Sequence, residues 1–204
     1  MKRLTLAIIL ACFTLTMAAQ GVDIRVNYKG AKPTISDFAW AFLSSDNGDD
    51  DGCVDESFNA MKQVWIQHRK GLPLDEGETL TVDDNNGYSC YESKDEEYVL
   101  RWEMCYWNYA DGKHKLFAYN VTCFSNGKYS PGQFDGLLFY RYNNATKKMT
   151  ACDDTGVDVV YRSVDNVLAS YALPRVGKDI TVTLWYDKGP KKKTLKWNGH
   201  GFSL

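Results

Sequence analysis

The sequence predicts an α+β fold in which two N-terminal helices pack on a curved antiparallel β-meander of about eight or nine strands. Two observations support this prediction. Apolar residues recur at helical spacing before Gly71, and from Thr79 onward they alternate with the two-residue period of strands. The turns between the predicted strands are short and rich in Asn, Gly, Asp and Lys, which favours antiparallel neighbours.

The chain is predicted to consist of a signal peptide at residues 1–19 and a single domain at residues 20–204. The first residues are basic, an apolar run follows, and Ala18 and Ala19 supply the small residues of a cleavage site. A secondary interpretation is a bacterial lipoprotein lipidated at Cys12, although the apolar run continues beyond that residue. No later apolar stretch reaches membrane-spanning length. We therefore expect export to the periplasm or the extracellular space, with no transmembrane segment in the mature chain.

The charge distribution argues against nucleic acid as a partner. Removal of Lys2 and Arg3 with the signal peptide changes the formal net charge from −2 to −4, whereas a nucleic-acid-binding protein would carry a basic surface. Residues 46–97 contain 15 Asp and Glu but only four Lys and Arg. Residues 188–196 contain five lysines. We interpret these clusters as solvated loops, with an acidic face for a cationic partner as the alternative.

The N-terminal part contains the predicted helices. Residues 22–29 alternate as in a short strand or extended arm, and Thr34 and Asp37 have the spacing of a capping box before a short buried helix. A second helix is predicted over Val54–Lys70, followed by Gly71 as its cap. One face of this second helix carries Val54, Phe58, Met61, Trp65 and His68.

Nine strands are predicted after the helices. They are Thr79–Asp83, Tyr88–Glu92, Tyr98–Trp107, Lys115–Phe124, Phe134–Tyr142, Lys148–Cys152, Val167–Leu173, Asp179–Tyr186 and Lys193–Trp197. The segment from residue 157 to 166 is ambiguous and could be helical. The dipeptides Asp111-Gly112 and Asn126-Gly127 are strong hairpin signals.

A turn at Asp111-Gly112 predicts the register of the central hairpin, because facing residues then have numbers that sum to 223. The facing pairs on one side are Leu100–Cys123, Trp102–Val121, Met104–Tyr119 and Tyr106–Phe117, all apolar or aromatic. Facing residues share one side of an antiparallel pair, so these side chains predict a buried face. A slip by one residue would scatter them over both faces.

The opposite face of this hairpin is polar at one end and apolar at the other. Its facing pairs are Arg101–Thr122, Glu103–Asn120, Cys105–Ala118 and Trp107–Leu116. We expect a partner surface here, formed by Arg101, Glu103, Trp107, Tyr109 and Leu116. The alternatives are a solvent-side polar pair at Glu103 and a second core layer at the aromatic end.

The acidic loop at residues 47–52 resembles the start of a calcium-binding loop, with Asp49, Asp51 and Asp55 as weak calcium candidates. Position twelve of such a loop needs a bidentate Glu and is Phe58 here. We therefore favour an exposed turn at the N-terminus of the second helix and expect no metal or other cofactor. Phosphate-binding, dinucleotide-binding and Gly-Xaa-Ser-Xaa-Gly motifs are absent from the sequence.

Five cysteines remain after removal of the signal peptide, namely Cys53, Cys90, Cys105, Cys123 and Cys152. The odd number leaves at least one unpaired, and zero, one or two disulfides remain open. The register places Cys105 and Cys123 on opposite faces, which argues against a bridge between them. Acidic neighbours of Cys53 disfavour a thiolate, and no cysteine spacing predicts zinc. Two Asn-Xaa-Thr triplets, at Asn120 and Asn144, matter only in a host that glycosylates them.

Three C-terminal phrases, YNNATKKM (142–149), YALPRVGKDI (171–180) and KTLKWNGHGF (193–202), resemble exported proteins of gut anaerobic bacteria. The resemblance extends over about residues 88–202. These phrases consist of turn and strand residues, so the resemblance implies a bacterial envelope location and carries no activity.

These observations predict a non-catalytic binding or inhibitor-like domain that contacts a protein or glycan of the cell envelope. One alternative is a carboxylate-dependent hydrolase with a sheet-lined cleft. Another is a small-ligand carrier with an apolar cavity between helices and sheet, as in folds that resemble cystatins or nuclear-transport-factor-like cones. An enclosed pocket that holds two carboxylates, or a carboxylate and a histidine, would favour the hydrolase. A flat or convex aromatic patch without titratable neighbours would favour binding.

Overall fold

The computed structural model describes residues 23–45, 56–132, 135–162 and 167–204. The helices in these residues are α1 (Ile35–Ser44), α2 (Glu56–Arg69) and α3 (Val159–Arg162). The strands are β1 (Ile24–Arg25), β2 (Glu78–Asp83), β3 (Tyr88–Lys94), β4 (Tyr98–Asn108), β5 (His114–Ser125), β6 (Lys128–Tyr129), β7 (Gly136–Asn143), β8 (Lys148–Ala151), β9 (Leu168–Ala172), β10 (Ile180–Tyr186), β11 (Gly189–Trp197) and β12 (Phe202–Ser203). None of the described helices is long and apolar enough to cross a lipid bilayer.

The strands form two antiparallel sheets. The first has the order β1-β8-β7-β5-β4-β3-β2, with β6 paired to β5, and the second has the order β12-β11-β10-β9. The antiparallel α+β class is thus confirmed, but the strands do not follow one meander. Because both faces of β4 and β5 carry apolar side chains, helices on one face leave the other to be covered, and the second sheet covers part of it.

The helices α1 and α2 lie over the first core, on the face that the hairpin register predicts to be buried. The capping box at the start of α1 is present, with the Thr34 backbone N–H donating to Asp37 Oδ2 at 2.8 Å. Phe38 packs its ring against Phe117 and Tyr142, with centroid distances of 5.7 and 5.0 Å. Aromatic side chains therefore fill the space between α1 and the sheet.

The central hairpin has the predicted register, from Tyr98 opposite Ser125 to Asn108 opposite Lys115. Its loop is wider than a two-residue turn. A type I′ turn would need a positive φ at both central residues, but in this loop only Gly112 has one, and the Gly112 N–H donates to Tyr109 O. The even loop length preserves the register. The second predicted turn, at Asn126-Gly127, does join paired residues directly, and both of its residues have positive φ.

The second core lies between the two sheets. Trp107 and Leu116 from the first sheet are buried there, together with side chains of β10 and β12. Trp107 donates its indole N–H to Lys178 O at 2.7 Å, and its ring lies 5.1 Å from that of Phe202. The aromatic end of the hairpin is therefore interior.

Candidate functional site

The polar end of the same sheet face carries a buried carboxylate, Glu103, which is only 3% exposed. Its Oε1 accepts from the Tyr88 hydroxyl at 2.8 Å, and its Oε2 accepts from Asn120 Nδ2 at 3.1 Å and from the Leu173 backbone N–H at 3.2 Å. The Asn120 amide also donates to Tyr171 O at 2.9 Å. Glu103 and Asn120 face each other on β4 and β5, so this pair links the first sheet to β9, the edge strand of the second sheet.

Burial raises the pKa of Glu103 above its usual value, because an ionised carboxylate loses hydration in the interior. The donors from Tyr88, Leu173 and Asn120, together with the positive charge of Arg101, act in the opposite direction. The effect of burial is the larger one, so the pKa of Glu103 is raised. A carboxylate that accepts three protein donors has a clear structural role here, because β9 has no neighbour on this side among the described strands.

Arg101 lies two residues before Glu103 on the same face and is anchored differently. Its Nε and Nη2 donate to Glu92 Oε2 at 2.9 and 2.6 Å, and Lys94 contacts the other oxygen of that carboxylate at 2.6 Å. Burial would raise the pKa of Glu92, but the hydrogen bonds from Lys94 and Arg101 outweigh it and lower this pKa. Glu92 is therefore a fixed, ionised partner.

These residues line an open cleft of about 290 Å³ where the second sheet does not cover the first. Its lining residues are Thr79, Thr81, Tyr88, Cys90, Glu92, Arg101, Glu103 and Arg175, and we call it the arginine cleft. Arg175 follows β9 and donates its Nε to Asp83 Oδ2 at 2.9 Å. The two arginines thus enter the cleft from different sheets, each bound to a carboxylate of the first.

The charges in the arginine cleft are layered. The side chains of Arg101 and Arg175 are 36% and 56% exposed, whereas the exposures are 15% for Glu92 and 3% for Glu103. The arginine side chains are therefore the more exposed groups of the cleft and the carboxylates the more buried ones. A molecule that enters the cleft meets N–H donors and positive charge first.

Cys90 lines the arginine cleft but does not have the character of a nucleophile. Burial raises the pKa of its thiol to about 11, and the charge of Glu103 adds to this effect. A thiol with that pKa is protonated near neutral pH. The cleft therefore offers hydrogen-bond donors and acceptors rather than a reactive cysteine.

The structure separates the five residues predicted to form a partner surface. Arg101 and Glu103 meet in the arginine cleft, whereas Trp107 and Leu116 are buried between the sheets. Tyr109 is half-buried, with its ring 5.4 Å from that of Trp197. The five residues therefore do not form one exposed surface. The alternative of a second core layer at the aromatic end is confirmed, because the second sheet covers Trp107 and Leu116.

Sequence reasoning missed Glu92, Tyr88 and Arg175 as parts of the site. A signal existed for Glu92, which faces Arg101 across β3 and β4, and for Tyr88, which shares its face of β3 with Cys90, the residue that faces Glu103. The connection between those strands lacks a tight-turn dipeptide, so the pairing could not be counted from it. Nothing local points to Arg175, because it reaches the cleft only through the position of the second sheet.

Several sequence-based expectations lie outside the described residues. These are the signal peptide at residues 1–19, the lipidation candidate Cys12, the calcium candidates Asp49, Asp51 and Asp55, and Cys53. Within the described parts of the chain, no group of three or more His, Cys, Asp or Glu side chains is placed to hold a metal ion.

The other four cysteines, Cys90, Cys105, Cys123 and Cys152, are free thiols. Leu100 faces Cys123 on the helix side, and Cys105 faces Ala118 on the other, so the predicted separation of these two thiols is confirmed. Of the two Asn-Xaa-Thr triplets, Asn120 is buried and Asn144 lies in an exposed turn.

Comparisons of this chain with family models, with curated proteins and with solved structures found no match.

Proposed function

We propose that the protein is an exported, non-catalytic binding domain whose arginine cleft holds the carboxylate group of a ligand. The observation that carries this proposal is the difference in exposure between two arginine side chains, 36% and 56% exposed, and their carboxylate partners, 15% and 12% exposed. Each arginine is held from one side, so its orientation is set before a ligand arrives. Preorganised donors lose less conformational entropy when they bind.

Both arginines have donors left for a ligand. Arg101 uses Nε and Nη2 for Glu92, and Arg175 uses Nε for Asp83, so Arg101 Nη1 and both Nη atoms of Arg175 make no hydrogen bond within the described residues. Guanidinium N–H groups match carboxylate oxygens in geometry and charge. The hydroxyl groups of Thr79 and Thr81 in the cleft lining supply further hydrogen-bonding capacity.

Export is part of the proposal and is supported by the basic and apolar character of residues 1–19 and by the resemblance to exported proteins of gut anaerobic bacteria. Carboxylates in that setting come from acidic sugars and from acidic peptides. Both present the same group to the arginines, so the experiment must separate them.

The proposal is tested by calorimetric titration with D-glucuronate and with D-glucose, which differ by one carboxylate. We expect D-glucuronate to bind and D-glucose to bind at least about tenfold more weakly, with the difference reduced at high salt. A third titration, with N-acetylglutamate amide, distinguishes a peptide source from a sugar source. Equal affinity for D-glucuronate and D-glucose, or no binding of either carboxylate, would contradict the proposal.

Substitution of the two arginines identifies the site. Arg101→Gln and Arg175→Gln each remove one guanidinium, and we expect each to weaken binding of the carboxylate about tenfold. Arg141→Gln is the matched control, because Arg141 is 38% exposed and paired with Asp154 but does not line the cleft. If the control weakens binding as much as the cleft variants do, the site lies elsewhere.

A hydrolase is the second candidate, and one observation favours it. Glu92 and Glu103 line the same cleft, and their pKa values are shifted in opposite directions. Such a pair is the arrangement that assigns a base and an acid in carboxylate catalysis. Glu92 is nevertheless bound by two cations, and the oxygens of Glu103 already accept three donors. Turnover of a glycoside panel that is abolished in Glu103→Gln would establish the enzyme.

A small-ligand carrier would need an apolar cavity between helices and sheet. In the described residues this space holds packed rings, with Phe42 within 5.7 Å of Phe117 and 4.8 Å of Tyr119 between ring centroids. A carrier function therefore has less support than binding at the arginine cleft.

A further inference from the structure

A groove centred on Trp40 lies on the helix side of the first sheet, opposite to the arginine cleft. It consists of two adjoining cavities of about 390 and 220 Å³, which share the lining residues Asn27, Asp37 and Trp40. The larger cavity is within the size range of small-ligand sites, about 300–1,000 Å³. β1, α1 and the C-terminal end of α2 form its walls.

Trp40 differs from the other aromatic residues of α1. Phe38 and Phe42 are buried in the first core, whereas Trp40 is half-exposed. The guanidinium carbon of Arg69 lies 4.2 Å from the centroid of the Trp40 ring, so one face of the indole is covered. The indole is thereby held in place, and Trp40 lines both cavities.

The polar groups around this ring include both donors and acceptors. Asp37 uses Oδ2 for the capping box, and its Oδ1 makes no hydrogen bond within the described residues. Arg25 donates its Nε to Asn27 Oδ1 at 3.4 Å, which leaves its Nη atoms and the Asn27 amide available. Asp23 is neutralised by Lys148 at 2.8 Å. The groove therefore lacks the concentrated charge that an ionic ligand requires.

We propose that the groove centred on Trp40 binds a neutral saccharide. The apolar C–H face of a sugar ring stacks on the indole, while ring hydroxyls donate to Asp37 Oδ1 and accept from Arg25 and Asn27. A sugar needs this combination of one flat aromatic surface and mixed polar groups. The lining holds two carboxylates, Asp23 and Asp37, and two guanidinium groups, Arg25 and Arg69, so its charges balance and favour a neutral ligand. This site is independent of the carboxylate site in the arginine cleft.

The test is calorimetric titration of the full mature chain with four neutral tetrasaccharides: maltotetraose, cellotetraose, xylotetraose and chitotetraose. We expect at least one to bind, and Trp40→Ala to weaken that binding about tenfold or more, because aromatic anchors dominate such contacts. Trp185→Ala is the matched control, since Trp185 is also half-exposed but lies on β10. Thermal unfolding of each variant verifies that it is folded.

A second variant, Asn27→Ala, covers the case in which Trp40→Ala does not fold. We expect it to weaken binding of the same tetrasaccharide several-fold, whereas Arg101→Gln combined with Arg175→Gln should leave that binding unchanged. Unchanged affinity in Trp40→Ala or, where that variant does not fold, in Asn27→Ala would overturn the proposal. It would also be overturned if none of the tetrasaccharides bound, and binding of tetramethylammonium instead would assign the groove to a cation.

Discussion

At the residue scale, burial of the Glu103 carboxylate costs hydration, but its hydrogen bonds connect the two sheets. In the described structure β9 is an edge strand, and the Glu103 carboxylate accepts the Leu173 N–H beside it, while Asn120 on the facing strand β5 donates to Tyr171 O. Side chains rather than a further strand thus satisfy an open sheet edge. The ionised carboxylate pays for this position through its lost hydration.

Replacement of Glu103 by Gln should keep hydrogen bonds at this position but remove the buried ionisable group. A folded-state pKa that is raised by burial means that Glu103 lowers stability as pH rises from about 4.5, the unfolded value, through the folded value. Gln does not titrate, and the Tyr88 hydroxyl can accept from its amide. We expect the stability of Glu103→Gln relative to the native protein to increase between pH 5 and pH 8, as measured by urea unfolding.

Replacement by Leu is the control, because it leaves the Leu173 N–H, the Asn120 amide and the Tyr88 hydroxyl without their acceptor. We expect a loss of about 3 kcal/mol or more in the free energy of unfolding at both pH values. A Gln variant that becomes relatively less stable as pH rises would show that the ionised form is preferred in the folded protein.

The pKa of Asp111 is shifted in the opposite direction to that of Glu103. Hydrogen bonds from His114 and from the Lys113 N–H lower the pKa of Asp111 to about 2. A lowered carboxyl pKa contributes stability above the unfolded value of about 3.8, and this contribution is lost as pH falls toward 2. Asn suits the same turn, so Asp111→Asn changes mainly the charge.

We therefore expect the native protein to have the higher melting temperature at pH 6 and the two melting temperatures to converge between pH 4 and pH 2. Circular dichroism melts at several pH values measure this. A constant difference across the range would assign the effect to the turn geometry instead of to the ionised carboxylate.

At the element scale, the connection from the first sheet to the second depends on Gly156. Its φ is +80°, and an added Cβ would lie 2.3 Å from the carbonyl oxygen of Phe202. The Phe202 N–H donates to the neighbouring Thr155 O at 2.7 Å. The backbone that leads to the second sheet therefore packs directly on β12, where no side chain fits.

Substitution of Gly156 by Ala should consequently weaken the junction of the two sheets. We expect a loss of about 2 kcal/mol or more in the free energy of unfolding, from backbone strain and from the contact with Phe202. Gly177→Ala is the matched control, because Gly177 also has a positive φ, +91°, but an added Cβ meets nothing within 4 Å. Equal losses in the two variants would show that strain alone matters at residue 156.

The elements show what local sequence determines. The capping box, the turn at Asn126-Gly127 and the register of the central hairpin depend on neighbouring residues and on the two-residue period, and each could be predicted. The wider loop at Gly112 departs from the predicted turn type but keeps the register, because the side-chain alternation of the strands requires it.

At the scale of the whole molecule, the first sheet is a central layer with the helices on one face and the second sheet on part of the other. Alternation shows that a strand has two faces but does not show which strands share a sheet. The division into two sheets was missed for this reason, and the burial of Trp107 and Leu116 was foreseen only as one of two alternatives. The apolar end of that face was a signal for a second layer, and the position of Arg175 follows only from that layer.

The arrangement also explains where binding can occur. The second sheet leaves the polar end of the first sheet uncovered, and the arginine cleft occupies this uncovered area. The function proposed for the cleft therefore depends on the fold, which brings Arg101 and Arg175 into the lining of one cleft although they are far apart in the chain.

The most direct test of that claim is a titration of the isotope-labelled protein with D-glucuronate, followed through the NMR signals of the arginine Nε–Hε groups. We expect the signals of Arg101 and Arg175 to shift together with one dissociation constant, while that of Arg141 stays in place. Shifts at Arg141 without shifts at the cleft arginines, or no shifts at saturating ligand, would contradict the account.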